Sequence, residues 1–589
     1  MAGSSNVVKT LLEARKWSVQ ELAEAREMAK LGWKGHIVKM LDDAAEEDLP
    51  TPPSIEEEKL KQLEGRYVDQ RLNETRVELR SGRLVMIREQ GSPRVLVPRN
   101  AVTFVHGAAV IEFQLSDQGV TGFQYSGNID PQLYVRVDGR SEDTVRKVFP
   151  ASPSLDADVA ARDTWPSFRG VQARGVAIGQ HLPDAWDGER EVGVRWKTPI
   201  AGLSNSSPIV WKDRVFVTTA VSGAGKNDMR IGLYGAGDAV DDDSEHSWQV
   251  LCLDLHDGKV LWEREAERRK PPVKRHLKST QANSTPATDG RHVVALFNSG
   301  GLYCYDVEGQ LLWTKDLGTL DAGAFNDPDY QWGFGSSPII YRNLAIVQCD
   351  LQKNSFLAAF DLTSGQEIWR EERDEVPSWG TPTVCETDRG PLLITNATRA
   401  VRGYNALDGQ PRWSLEGNSA ITVPTPFVAH DLVYVTSGYR PIQPIYAIKL
   451  GAQGDISLKE NQDSNEAVAW STLQGGPYLP TPLVYGDYLY ICANSGILTC
   501  YDAKTGERVY RKRVSRGDAR SFTGSLVAAD GKIYITAESG TILVVKAGPE
   551  YEFLGANELG EYCLSTPAIA GGLMLVRTHK HLVAIGRPQ

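Results

Sequence analysis

None of the seven cysteines neighbours another, and no Cys-x-x-Cys occurs. An adjacent-cysteine disulfide and a thiol redox motif are therefore excluded. No apolar run approaches the ~18–20 residues that a membrane-spanning helix needs, so no transmembrane segment is expected. No long basic stretch stands out and the formal net charge is −11, which argues against nucleic acid as a principal partner. The opening Met1–Asn6 lacks the apolar core of a secretory signal. That leaves a cytosolic protein, or one whose signal was removed before this numbering. Neither Ser-x-x-Lys nor Gly-x-Ser-x-Gly is present, so no nucleophile motif marks a hydrolase.

What is present is a repeat. Small residues followed by proline open it at Pro208, Pro286, Pro338, Pro382, Pro426, Pro482 and Pro567. Gly524-Ser525-Leu526 reads as an eighth opening, with Ser525 in the proline position. In one copy, Ser336–Ile340, Leu344–Val347, Phe356–Asp361 and Gly365–Trp369 are short apolar or alternating runs bounded by turn residues. Such runs predict four antiparallel strands. Four-stranded units of about 40–50 residues, repeated head to tail, predict the blades of a β-propeller.

The turn between the third and fourth strands recurs as Asp254–Gly258, Asp361–Gly365 and Asp502–Gly506. Aspartate accepts backbone N–H bonds within such a turn, and glycine takes positive φ at no steric cost. Four residues beyond the glycine comes an aromatic: Trp262, Trp313, Trp369, Trp413 or Tyr510, with Trp470 after a longer turn. Together with Trp196 and Phe553 these make eight outer-strand aromatics, and the six tryptophans are assigned to a structural girdle between blades. Cys252, Cys304 and Cys500 share one repeat position and read as small buried strand residues. Trp196 precedes the first blade, whereas the last stops at Ile585. Val194–Lys197 is therefore expected to supply the last blade's outer strand and close the ring.

The N-terminal part reads differently. Residues 1–50 are expected to form a helical segment, with Ser18–Glu21 as a capping box. Short strands are expected at Arg76–Leu79, Leu84–Arg88, Val95–Pro98, Ala109–Gln114 and Thr121–Tyr125. Residues 140–163 read as a linker. The expected organisation is mainly β: an eight-bladed β-propeller with four-stranded blades over 164–589. A small β-barrel-like domain over 55–139 and the helical segment precede it.

Two resemblances add to this. The pattern Ala359-x-Asp361-x-x-Ser364-Gly365-x-x-x-Trp369 is similar to the tryptophan-docking motif of quinoprotein propellers. Trp165–Gly170 resembles the opening of PQQ-binding-like repeat proteins. That family holds both quinoprotein alcohol dehydrogenases and the propeller lipoprotein of the Bam assembly machinery. The resemblance covers 165–586. It implies a propeller fold, a periplasmic or exported location, and either PQQ with calcium or no cofactor. The adjacent-cysteine ring of the enzymes cannot form here, and no Glu/Asn/Asp calcium set is identifiable in the repeats. Residues 63–137 resemble the lipocalin-like C-terminal domain of serine β-lactamase-like hydrolases, without the hydrolase itself.

Candidate binding residues follow from propeller geometry. The position three before each proline faces the channel mouth, giving Asn205, Asn283, Gly335, Trp379, Val423, Leu479, Phe522 and Leu564. Lys278, Trp332 and Tyr478 fall beside them. Two long additions, Ser222–Ser247 and Glu263–Ala282, are expected on that same face. The first carries Asp238, Asp241, Asp242, Asp243, Glu245 and His246 and reads as a solvated acidic loop. His579 and His581 lack a third zinc ligand, and no metal site is assigned. The expected function is a non-catalytic binding or scaffolding propeller that engages a protein or peptide through its long-loop face. The alternative is a PQQ-dependent dehydrogenase of alcohols or sugars.

Overall fold

A computed structural model describes residues 55–587, apart from 69–73, 81, 89–93, 107–108, 117–118, 127–131, 137–161, 233–238, 325–326 and 328–329. The expected helical segment, 1–50, and all but the last two residues of the expected linker, 140–163, lie outside the described residues. The chain divides into two compact units, 1–153 and 154–589.

The first unit places a short helix, Glu57–Gln62, before a nine-stranded antiparallel sheet. The five strands read from sequence are present. Gly65–Val68, Thr103–His106 and Gln132–Arg136 are additional, each too short for alternation to show. One edge of the sheet is Arg94–Val95, paired with Arg83–Arg88, and the other is Val97–Pro98, paired with Thr103–His106. A single segment, broken at Leu96, therefore supplies both edges. Inward-facing Tyr67, Phe113, Phe123 and Tyr134 form its aromatic core, Phe123 stacking on Tyr134 at 4.5 Å.

The second unit is built, among its described residues, from eight separate sheets of four or five strands. Its fold is propeller-like. The third sheet is representative: Ile339–Tyr341, Leu344–Cys349, Phe356–Asp361 and Glu367–Glu372, each antiparallel to the next. The last sheet takes Val194–Pro199 as its outer strand, antiparallel to His581–Gly586, as the sequence leads one to expect.

A ring of hydrogen bonds joins the inner strands. Each opening carries a serine or threonine just before its proline, and its backbone N–H donates to the hydroxyl oxygen of the corresponding residue in the next sheet. Ser207 donates to Thr285, Thr285 to Ser337, Ser337 to Thr381 and Thr381 to Thr425. Thr425 donates to Thr481, Thr481 to Ser525, Ser525 to Thr566, and Thr566 back to Ser207. All eight distances fall between 2.9 and 3.2 Å. The circuit corrects the phase of the seventh sheet. Ser525 holds the hydroxyl position, so Leu526 occupies the proline position.

Tryptophans fasten the outer rim. The indole N–H of Trp196 reaches Leu255 O in the first sheet at 2.8 Å, and Trp262 reaches Val307 O in the second at 2.9 Å. Trp313, Trp369 and Trp470 reach Leu362, Ala406 and Ala503 in the same way. Each ring packs on the turn glycine of the sheet it docks against. Across its own sheet each girdle tryptophan so far named faces a small residue: Trp196 faces Ala584, Trp262 faces Cys252, Trp313 faces Cys304, Trp369 faces Ala359 and Trp470 faces Ala447. This is why cysteine recurs there: a larger side chain would displace the ring. Trp413 is the exception. Its indole N–H is buried without an acceptor among the described residues, and the fifth sheet lacks the Asp-to-Gly turn that provides one.

A methyl group on Gly365 would lie 2.6 Å from the Trp313 ring, at a φ of +69°. Gly365→Ala is expected to destabilise the unit by about 1–3 kcal/mol through strain and displaced packing. Gly451→Ala, with nothing within 4 Å, is expected to leave the melting temperature unchanged. Thermal unfolding of the two variants checks this.

Candidate functional site

The inner strands surround a cavity of about 240 Å³. Asn205, Lys278, Asn283, Trp332, Trp379 and Tyr478 all line it, as do Gly335, Val423, Leu479 and Leu564. Phe522 does not. It is fully buried among Val514, Ala519 and Ala537, because the phase of the seventh sheet is one residue later than the sequence suggests. The position three before Leu526 is Thr523, and Thr523 lines the cavity.

The Trp165–Gly170 motif closes one end. Thr164–Trp165 pairs with the inner strand of the first sheet, and Val176–Ala177 with that of the seventh. Between them Val171–Ala173 touches the inner strands of the fourth and fifth sheets. This strap therefore touches the inner strands of four sheets, the first, fourth, fifth and seventh. Phe168 reaches the cavity lining. Arg169, fully buried, donates to the carbonyls of Ala173, Thr481, Leu526, Arg174 and Pro482. Burial without a carboxylate partner lowers its affinity for the proton. A guanidinium suits this position because its fork reaches several carbonyls at once.

At the mouth, the Trp332 and Trp379 rings lie 5.9 Å apart, and the Trp379 indole N–H donates to Gly333 O at 2.8 Å. Tyr478 stands 5.2 Å from Tyr439, and burial raises its phenol. Lys278 is 8% exposed and pairs with Glu538, 1% exposed, at 2.5 Å. Glu538 also accepts from Thr523 Oγ1 at 2.6 Å and from the Gly232 amide at 2.7 Å. Sequence reading missed Glu538 because 260 residues separate it from Lys278.

The two long additions interlock. Arg230 N–H donates to Leu277 O, Val240 N–H to Arg275 O, and Ala239 bridges His276. Asp241 pairs with Lys274, and Asp243 with Lys270. The second addition begins later than the sequence implies. Residues 263–269 continue the outer strand Val260–Arg269, with Arg268 and Arg269 paired to Glu265 and Glu267. Within the first, burial alone would raise the Asp242 carboxyl, but bonds from Ser244 and Ser222 hold it low. His246 begins a strand and lies 3.7 Å from Asp242. Asp238 lies outside the described residues.

Among the described residues no group of three or more His, Cys, Asp or Glu side chains could hold a metal. His581 pairs with Glu561 at 2.5 Å, whereas His579 lies against Tyr562. The cavity lining contains no carboxylate, so it lacks the acidic oxygen donors that usually hold calcium. The residues present therefore do not fit the calcium of a quinoprotein site. Burial raises all seven thiols, which are unpaired.

Repeated four-stranded sheets, docked by outer-strand tryptophans around a plugged axis, define a PQQ-like repeat protein. A family model described as outer membrane protein assembly factor BamB matches residues 185–329 and 353–585. The chain belongs to this family. It is similar to the outer membrane protein assembly factor BamB of Yersinia pestis, with 24% identity over 420 residues, 68% of this chain and 93% of that protein. The crystal structure of BamB from Moraxella catarrhalis aligns with 63% of this chain and 99% of its own (TM-score 0.41, 12% identity). A quinohemoprotein alcohol dehydrogenase from Pseudomonas putida HK5 aligns with 74% and 82% (TM-score 0.49, 10% identity).

Two outcomes are expected. Lys278→Met strands a buried carboxylate and is expected to cost about 3–5 kcal/mol, much of which Lys278→Met/Glu538→Gln recovers. Denaturant unfolding of the single and double variants checks this. Glu561 supplies a pH test. Burial alone would raise its carboxyl, but bonds from Thr578, the Lys580 amide and Lys197 bring it down to about 2. A folded-state value below the unfolded one stabilises the protein above the unfolded value, about 4.3. Glu561→Gln should therefore melt below wild type at neutral pH, with the gap closing as pH falls from about 4.3 toward 2.

Proposed function

We propose that the second unit is a closed eight-bladed propeller that acts as a non-catalytic binding or scaffolding protein, engaging a protein or peptide partner through its long-loop face. On this reading the eight sheets are the blades, 164–589 is one domain, and 55–139 is a separate small lipocalin-like barrel. The shared edge segment Arg94–Pro98 supports the barrel. The observation that carries the function is the interlocking of the two long additions beside an aromatic mouth. Loops held by backbone bonds and ion pairs offer a preformed surface, which lowers the entropy lost on docking. The family's members are described as outer membrane protein assembly factors. By extension, this chain is an exported factor whose partners are proteins of that assembly process.

Interface energy concentrates in aromatic and arginine anchors, each worth about 2 kcal/mol or more when truncated. Trp379→Ala, or the pair Lys270→Glu and Lys274→Glu, is expected to weaken capture of a partner from envelope extract about tenfold or more. His256→Ala and Lys504→Ala, on turns of the opposite face, are expected to have no comparable effect. Deletion of Lys270–Lys278 is unsuitable because it removes the buried Lys278. Capture lost only with the opposite-face variants would contradict the proposal. So would saturable binding of PQQ and calcium with dye-linked alcohol or sugar oxidation.

A further inference from the structure

We propose that the central cavity is a binding site for a carboxylate carried on a small apolar body. This goes beyond partner docking on the loop face. All eight hydroxyl residues of the inner ring line the cavity, and none is more than 4% exposed. Each oxygen accepts one backbone N–H. Each hydroxyl therefore keeps a proton to donate, and none donates it to an acceptor among the described residues. The Trp332 indole N–H, in the same lining, also has no acceptor among them.

Buried donors left unmet cost about 1–3 kcal/mol each, so the cavity favours a group rich in acceptors. An ionised carboxylate accepts up to about four hydrogen bonds and donates none. The lining itself carries no acidic side chain. In a chain of net charge −11 it contains Lys278 and no carboxylate. The buried Glu538 pairs with Lys278 and balances its charge, so the hydroxyl ring and the Trp332 indole are the donors that count. A cation would find no carboxylate in the lining to balance it. Above the ring, Trp379, Val423, Leu479 and Leu564 give the wall an apolar face. The volume, about 240 Å³, suits a body the size of one aromatic ring.

A free small acid and the C-terminal carboxylate of a peptide present the same group. Isothermal titration calorimetry of the full chain with benzoate and benzamide tests the chemistry without any variant. A short peptide ending in phenylalanine, as free acid and as amide, separates the sources. Benzoate or the peptide acid is expected to bind saturably, with its amide at least about tenfold weaker, since hydrogen bonds to a charged acceptor are about twice as strong. Preference for benzoate assigns a small acid; preference for the peptide acid assigns a chain terminus. Thr425→Val, checked for an unchanged fold by circular dichroism, is expected to weaken the acid severalfold. Equal affinity for acid and amide, or no heat from either acid up to about 10 mM, where affinity falls below the weakest useful range, overturns the proposal. Partner capture on the loop face would stand or fall separately.

Discussion

The circuit of eight amide-to-hydroxyl hydrogen bonds around the axis is the constraint on which the second unit depends. No sheet can leave the ring without breaking two of these bonds, one donated and one accepted. Each is buried, so a broken partner is not rescued by water. The geometry explains the opening signature. Serine or threonine supplies the acceptor one residue before a proline that fixes φ and needs no donor. The outer tryptophans do the complementary work at larger radius, where each indole joins one sheet to a turn of the next.

The same circuit frames the candidate functional surface. Inner strands held at fixed spacing leave a central space, and the strap 164–177 closes one end of it. Arg169 holds that strap with five carbonyl contacts. The open end gathers the aromatic pair Trp332 and Trp379, and the two additions beside it lock together through Asp241, Asp243, Lys270 and Lys274. Glu538 ties the first addition to the seventh sheet through Gly232 and to the second through Lys278. The loops at the mouth are thus bonded to the seventh sheet as well as to each other.

Much of this was legible in the sequence because repetition amplifies weak signals. Proline openings, Asp-to-Gly turns and outer tryptophans each recur often enough to give strand order and a closing strand at Val194–Lys197, which the structure extends to Pro199. Reading failed where the repeat lost a marker. At Gly524-Ser525-Leu526 no proline sets the phase, and the serine took its place, which put Phe522 rather than Thr523 at the cavity. It also failed for contacts with no local pattern. Arg169 looked like part of an opening motif, yet its bonds reach residues more than three hundred positions away. Charged residues 263–269 looked like loop because alternation of opposite charges hides an edge strand that faces solvent on both sides.

Native-state hydrogen exchange at the eight ring amides, Ser207, Thr285, Ser337, Thr381, Thr425, Thr481, Ser525 and Thr566, tests the central claim most directly. A closed ring predicts that all eight exchange only through global unfolding of the second unit, with one common free energy and one common denaturant dependence. Amides that exchange sheet by sheet, with separate free energies well below that of global unfolding, would contradict it.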